Sequence, residues 1–517
     1  MRSLLFSFFL LSFVVPLAAQ APATGTLWLT VAEEMGPVDG VLVRSDSVAV
    51  NTDGAGRARL VLPAGRRTLL LARIGYVPKR VTVTVTAGTE TRLDIPLEMV
   101  MVMPEMQELT VSAARTERLS GETPIRVEVI SPMEVDEKTQ MAPGGISMIL
   151  NETPGVRVQA TSPSLGTGAV RILGLPGQYT AMLADGLPLY GGAASSLGPL
   201  DISPVDLQQV EIIKGAASAL YGGQALGGVV NLVSKPATGR SEVLVNRRTL
   251  GVTDGAAWLS RRFSERLGAS LLLSGSLQSA EDLDRDGWGD QAMARRWGVR
   301  PRVSFVDAAG RSLFLTAGFG YDHRHGGTLN GGLTPAGLPY REEMTGERFD
   351  LGSSAKLPMS AGGNMAFRFA LSTNGRARGL AGAPSEHDRI STGFFEVTRS
   401  TVSQRASTVY GAVVQGDGYQ NALNDAFDHS WVTPGLFVTG ERDFGPVTLS
   451  GSLRGDAHPT AGLQVTERFA ALVRPVERWS VRLSVGTGFA PATPLNEETD
   501  PIGLRAVRRG TGLGQER

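Results

Sequence analysis

From about residue 239 to residue 489 the chain repeats one pattern, apolar residues at every second position with small, polar or Arg residues between them. In NMAFRFALS, Met365, Phe367, Phe369 and Leu371 alternate with Ala366, Arg368, Ala370 and Ser372. In SVRLSVGTGF, Val481, Leu483, Val485, Thr487 and Phe489 alternate with Arg482, Ser484, Gly486 and Gly488. SLFLTAGFGY (Leu313, Leu315, Ala317, Phe319, Tyr321) and VTLSGSLRG (Val447, Leu449, Gly451, Leu453) do the same. A period of two predicts strands. One apolar side opposite a small or charged side suits lipid outside and a wet lumen inside, because in lipid only a closed barrel pairs every backbone group. A large soluble sandwich or propeller has the same period, so alternation alone leaves that choice open.

The segments ahead of this region are built differently. Residues 1–21, MRSLLFSFFLLSFVVPLAAQA, place Arg2 before an apolar run and end in small residues, the layout of a secretory signal peptide whose core is too short for a membrane helix of about 20 residues. Residues 22–99 read as short strands separated by Gly, Asp and Pro, which predicts a small β-sandwich. Residues 100–124 read as a linker. Residues 125–238 mix signals: Ser131 or Asp136 can cap a helix, Ile146, Ile149 and Leu150 share a helical face, and VEIIKG and GGVVNLVSK are strand-like.

Composition narrows the function. Fifty basic residues balance fifty acidic ones, which removes the simplest argument for a nucleic-acid partner. Sixty-four glycines imply many tight turns or close backbone approaches, and the absence of cysteine excludes disulfides and thiolate sites. No metalloprotease, serine-hydrolase or nucleotide-binding signature is present, so neither an enzyme nor a cofactor is expected.

The most specific stretches are RILGLPGQYTAMLADGLPLYG and VEIIKGAASALYGGQALGGVVNLVSK, in that order and ahead of the alternating region. They resemble the two signature stretches of the TonB-dependent receptor plug. Residues 52–85 resemble the carboxypeptidase regulatory-like domain, and QELTVS (Gln107, Glu108, Leu109, Thr110, Val111, Ser112) resembles a TonB box. Such a peptide adds as an edge strand to its partner, so its side chains need be only loosely specified. The resemblance implies a mainly β chain: an N-terminal β-sandwich, an α+β plug domain and a transmembrane antiparallel β-barrel over residues 239–517. The implied function is energised import of a siderophore, cobalamin, metal chelate or glycan across the outer membrane. The implied partners are the TonB C-terminal domain, that small ligand and outer-membrane lipid. The rival readings are a β-rich adhesion protein and a passive porin.

Plug loops facing the extracellular vestibule are implied to touch substrate. The candidates are Gln159, Thr161, Ser162 and Ser164, then Gln178 and Tyr179, then Tyr190, Ser195 and Ser196. One departure is visible: the family commonly has Arg before the Gly of its first signature, whereas Leu173 precedes Gly174 here, leaving a plug-to-barrel ionic contact missing or supplied by Arg171. EDLDRDGWGD (Asp282, Asp284, Asp286, Gly287) mimics the opening of a calcium loop but has Met293 where the closing Glu belongs, so it is no EF-hand and reads as a solvated loop or turn at a barrel end, with extracellular calcium as the alternative. His323 and His325 lack a third ligand and read as polar loop residues, so no metal site is assigned. The residues from 239 onward suffice for about 12 to 14 spanning strands, against about 22 in the barrel that the resemblance implies. The polar ending at Arg517 lacks the terminal aromatic of family barrels, so a C-terminally truncated barrel is expected.

Overall fold

The computed structural model describes residues 23–33, 36–45, 48–73, 76, 78–97, 110–111, 118–119, 123–162, 164–189, 201–359, 363–403, 405–476, 479–493, 495–497, 499, 503–505 and 507–508. Two compact units divide the chain: Met1–Leu71 with Arg80–Pro96, and Ala72–Lys79 with Leu97–Arg517.

The first unit holds two four-stranded sheets. Thr24–Glu33 pairs antiparallel with Gly36–Pro37 and Arg57–Pro63 and parallel with Glu90–Pro96. The other sheet runs Ala49–Asn51, Leu42–Arg44, Gly65–Ala72, Lys79–Val85. Strict alternation buries Leu27, Leu29, Val31, Leu60 and Leu62 in one sheet and Val43, Leu69 and Leu71 in the other. The TDGAGR turn is shaped by Asp53, whose Oδ1 accepts from the Ala55 and Arg57 amides at 2.9 and 2.8 Å.

In the second unit, residues 123–234 build a mixed sheet and its helices. The strand order is Val127–Ile130, Leu207–Lys214, Gly228–Ser234, Thr180–Ala184, Leu187–Pro188. Ser131 caps the helix Pro132–Met141, its Oγ accepting from the Glu134 amide at 3.3 Å, with Pro at the first helical turn. Ile146, Ile149 and Leu150 are buried beside Val135, Ile172, Val210 and Val230, as their spacing predicts. Asp185 and Gly186 both take positive φ (51° and 75°), the tight turn that lets Ala184 pair with Leu187. At Gly228 (φ 150°) a Cβ would overlap the Ile213 carbonyl, so only glycine lets these two strands pair there.

Around this unit runs an antiparallel meander. Among the described residues thirteen strands pair each with its chain neighbour, from Glu242–Arg248 to Trp479–Gly486, and the first and last do not pair with each other. Thirteen falls within the expected count. Short turns at 263–266, 307–311 and 444–446 lie at one end and longer connections at 279–292 and 328–340 at the other. The longest strand, Arg341–Pro358, has 18 residues, well beyond the roughly 9 to 11 a bilayer requires.

This sheet is inverted relative to a soluble protein. Val447–His458 buries Thr448, Ser450, Ser452, Arg454, Asp456 and His458, and its neighbour Gly462–Val476 buries Gln464, Thr466 and Arg468. The residues between them point outward, with Leu453 49%, Leu463 72%, Val465 60% and Phe469 52% exposed. An apolar outer face of this extent is the signature of lipid contact. Phe263, Phe444 and Trp479 stand exposed at the short-turn end, where an interfacial aromatic girdle is expected.

Two expectations change. Phe489 does not continue the outer face: the strand stops at Gly486, and Phe489 turns inward to 2% exposure with its ring 3.0 Å from where a Gly223 Cβ would stand. His323 and His325 are not loop residues, because Ser312–Gly327 extends past them. The two rings lie 6.4 Å apart, and His323 Nδ1 is 3.0 Å from the Thr345 hydroxyl.

Candidate functional site

The mixed-sheet unit within residues 123–234, where the sequence leads one to expect the plug, meets the inner face of the large sheet through charge. Asp201 binds Arg296 at 2.5 Å and Arg324 at 2.6 Å, and Asp206 binds Arg302. These guanidiniums sit at inward positions of Met293–Val306 and Ser312–Gly327, so the two-residue period of the strands aims them at the plug. Burial pushes the Asp201 carboxyl up, but Arg324, Arg296 and Arg348 outweigh that and hold it well below the usual carboxylate range. Apolar contacts continue the seat, with Val205 packed on Ala256, Trp258 and Leu272, and Leu187 on Ala370, Phe394 and Val413.

Higher up, toward the long-connection end, Ser164 Oγ donates to Glu342 at 2.5 Å, while Arg324 Nη1 donates to the Gly166 carbonyl at 2.6 Å. Backbone comes so close here that a Cβ on Gly326 would overlap the Ser164 carbonyl. Gly326→Val is therefore expected to push Ser164 off the wall at a cost of about 1 to 3 kcal/mol. Faster protease cleavage near Ser164 in the purified variant would show it; an unchanged cleavage rate would contradict the contact.

Arg171 supplies a link that the sequence left open. Its Nε donates to Glu497 at 2.8 Å and its Nη2 binds the same carboxylate, which also accepts from the Gly177 amide at 2.6 Å. Glu497 lies after the last strand, and farther along the chain the Leu504 amide donates to Glu386 at 2.8 Å. Leu173, at the departing position, takes positive φ (52°) and stays 61% exposed.

Between plug and wall lies a cavity of about 60 Å³. Gln178, Tyr179 and Gln224 line it from the plug, Asp417, Tyr419, His429 and Trp431 from the strands, and Pro491 from the residues after the last strand.

A model of the "TonB-dependent Receptor Plug Domain" matches residues 120–229. The chain carries a TonB-dependent receptor plug. The Vitamin B12 transporter BtuB of Vibrio vulnificus (strain CMCP6) is 23% identical over 429 residues, covering 79% of this chain and 67% of that protein. Among solved structures, a mutant ferric enterobactin receptor (PfeA) from Pseudomonas aeruginosa superposes with TM-score 0.60 at 17% identity, covering 74% of this chain and 64% of that one. The siderophore receptor PirA from Acinetobacter baumannii gives TM-score 0.59 at 15% identity, covering 71% and 61%. This chain thus spans under two thirds of the solved receptors' length and shares their fold, a plug inside a large antiparallel sheet.

The candidate residues distribute unevenly around the plug. Gln178 and Tyr179 line the cavity. Thr161 and Ser162 are tied to their own hairpin, through Thr167 at 2.8 Å and Ser164 at 3.1 Å, and Gln159 contacts the neighbouring Ala160 carbonyl. Tyr190, Ser195 and Ser196 lie outside the described residues. So do Gln107, Glu108, Leu109 and Ser112, whereas Thr110 and Val111 pair with Leu119 and Arg118. In the acidic loop, Asp282, Asp284 and Asp290 bring their oxygens within 4.8 Å of one another. Those oxygens accept from the loop's own amides, Arg285 and Gly287 on Asp282, Asp286 on Asp284 and Leu283 on Asp290. Sequence reasoning missed Gln224, Asp417, His429 and Trp431. The available signal was the inward parity of Gln415, Asp417 and Tyr419, but parity does not say which inward residues face the plug.

Proposed function

We propose that this chain is an exported outer-membrane receptor that imports a scarce nutrient, with energy supplied by TonB. The observation that carries the reading is a plug held by buried guanidinium–carboxylate pairs against the polar face of an outwardly apolar sheet. A passive porin needs no such plug, and an adhesion protein needs no lipid face. The relatives named above, a vitamin B12 transporter and siderophore receptors, support a siderophore, cobalamin or similar chelate as ligand, with a glycan as a further option.

In this reading residues 1–21 direct export, residues 22–99 form a carboxypeptidase regulatory-like sandwich, residues 100–124 carry the TonB box, residues 125–238 form the plug and residues 239–517 contribute barrel strands. Ligand binds at the plug loops, with Gln159, Thr161, Ser162, Ser164, Gln178, Tyr179, Tyr190, Ser195 and Ser196 as the contacting residues. The two-residue pairing of Thr110–Val111 with Arg118–Leu119 is short enough to exchange for an edge strand of the TonB C-terminal domain. Ligand occupancy favours the exposed box, because only differential binding to the two plug states can shift their populations. Fractionation of expressing cells, with growth of a receptor-deficient strain on ferric siderophores, cobalamin and glycans, tests this. Outer-membrane recovery with growth on one ligand is expected; a soluble periplasmic protein would contradict it.

A further inference from the structure

Carboxylates on the inner face of the sheet are mostly answered by guanidiniums. Arg300 binds Asp350 through two nitrogens at 2.8 Å, Arg376 and Arg378 hold Asp388, Arg454 holds Asp456 and Arg368 holds Glu396. Glu342 is instead held by the Ser164 and Tyr340 hydroxyls at short range. Asp417 departs from both patterns. Among the described residues its side-chain partners are two neutral amides, Gln415 Nε2 at 3.4 and 3.1 Å and Gln224 Nε2 of the plug at 3.4 Å, and no guanidinium or ammonium.

Among the described residues, no Lys or Arg lines the cavity that Asp417 faces. Gln178 lines the plug side, and its Oε1 is buried with no hydrogen-bond donor among the described residues. The strand side of the lining also carries three aromatic rings: His429 stacks on Trp431 at 3.9 Å, and Tyr419 stacks on His429 at 6.0 Å. A carboxylate without a cationic partner and a buried amide oxygen without a donor are costly unless a donor-rich group completes them. Aromatic faces beside them attract the same kind of group, a flat cation.

We infer that this cavity is a subsite for a planar organic cation of the amidinium or guanidinium type, carried by the ligand. Asp417 is its counter-charge, Trp431 and His429 are its stacking wall, and Gln178 is the plug-side acceptor. At about 60 Å³ the cavity takes one head group rather than a whole ligand. That this group belongs to an imported molecule rests on the import reading; the charge preference does not. Because Gln178 and Gln224 belong to the plug and Asp417 to the wall, an occupant bridges the two bodies.

The test uses the purified full chain in detergent with three flat probes of equal size, benzamidine, benzamide and benzoate, followed by saturation-transfer NMR and calorimetric titration. Benzamidine is expected to bind at least about tenfold tighter than benzamide, and benzoate not at all. Asp417→Asn is expected to remove the preference for benzamidine over benzamide, and Trp431→Leu to weaken both. Equal binding of benzamidine and benzoate, no benzamidine binding, or full retention of the preference in Asp417→Asn would each overturn the subsite. If Asp417→Asn fails to fold, the three-probe comparison on the unaltered chain still decides. Absent energised uptake with benzamidine selectivity intact would overturn the import reading and leave the subsite standing.

Discussion

Replacing Asp201 by Ala is expected to weaken the hold of the plug by about 2 to 5 kcal/mol, the cost of truncating one partner of a hydrogen-bonded charge pair between two packed bodies. Arg296 and Arg324 lose their shared partner in that variant, Arg296 keeping the Ser276 hydroxyl at 3.0 Å and Arg324 keeping Asp322 at 2.8 Å, so the link between plug and wall is lost while the wall stays intact. Urea titration followed by limited proteolysis of the plug measures the effect, and an unchanged midpoint would contradict the seat described here. The same group sets a pH dependence. The folded pKa of Asp201 lies below its unfolded value, so its contribution is complete above the ordinary carboxylate pKa of about 3.9 and is lost as pH falls through the lower folded value. Plug retention in the unaltered chain is therefore expected to hold at pH 5 and to fail only in strong acid, with Asp201→Ala flattening that acid limb.

The second large effect concerns the outer face. Leu371 lies outward on Asn364–Leu380, 44% exposed and well inside both ends of the strand. On a soluble sheet, Arg at such a position would change stability by no more than about 0.5 kcal/mol. Facing lipid near the midplane it is expected to cost about 2 to 4 kcal/mol. Inward charge is a different matter, as Arg368 on the same strand shows by binding the buried Glu396 at 2.6 Å. Refolding of Leu371→Arg into lipid vesicles across a urea series measures the cost, and wild-type stability there would mean that the outer face does not meet lipid.

Much of the architecture was legible because its physics is local. Period-two alternation located the strands around Phe367, Leu315 and Leu449, Ser131 announced its helix, and Asp185 with Gly186 announced their turn. Alternation failed where a strand ended: nothing local distinguishes Phe489 from Val485, yet one is buried on the plug and the other is 70% exposed. The plug seat was less legible. Arg171 was named as a substitute contact, but its partner Glu497 is 326 residues away, a pairing no local pattern encodes. Asp201 and Asp206 went unnoticed for the same reason, since their importance comes from Arg296, Arg302 and Arg324 on distant strands. Asp417 stands out only by comparison with the paired carboxylates around it, which requires the assembled lumen.

Accumulation of a labelled ligand in cells, with and without a protonophore, tests the central claim of energised import most directly when the box is altered in parallel. Val111→Pro removes a backbone N–H donor from the coupling strand while leaving the plug loops untouched. The account predicts protonophore-sensitive accumulation by the unaltered receptor, and for Val111→Pro full surface binding with accumulation reduced to the protonophore level. Undiminished accumulation by a correctly inserted Val111→Pro receptor, or accumulation indifferent to the protonophore, would contradict it.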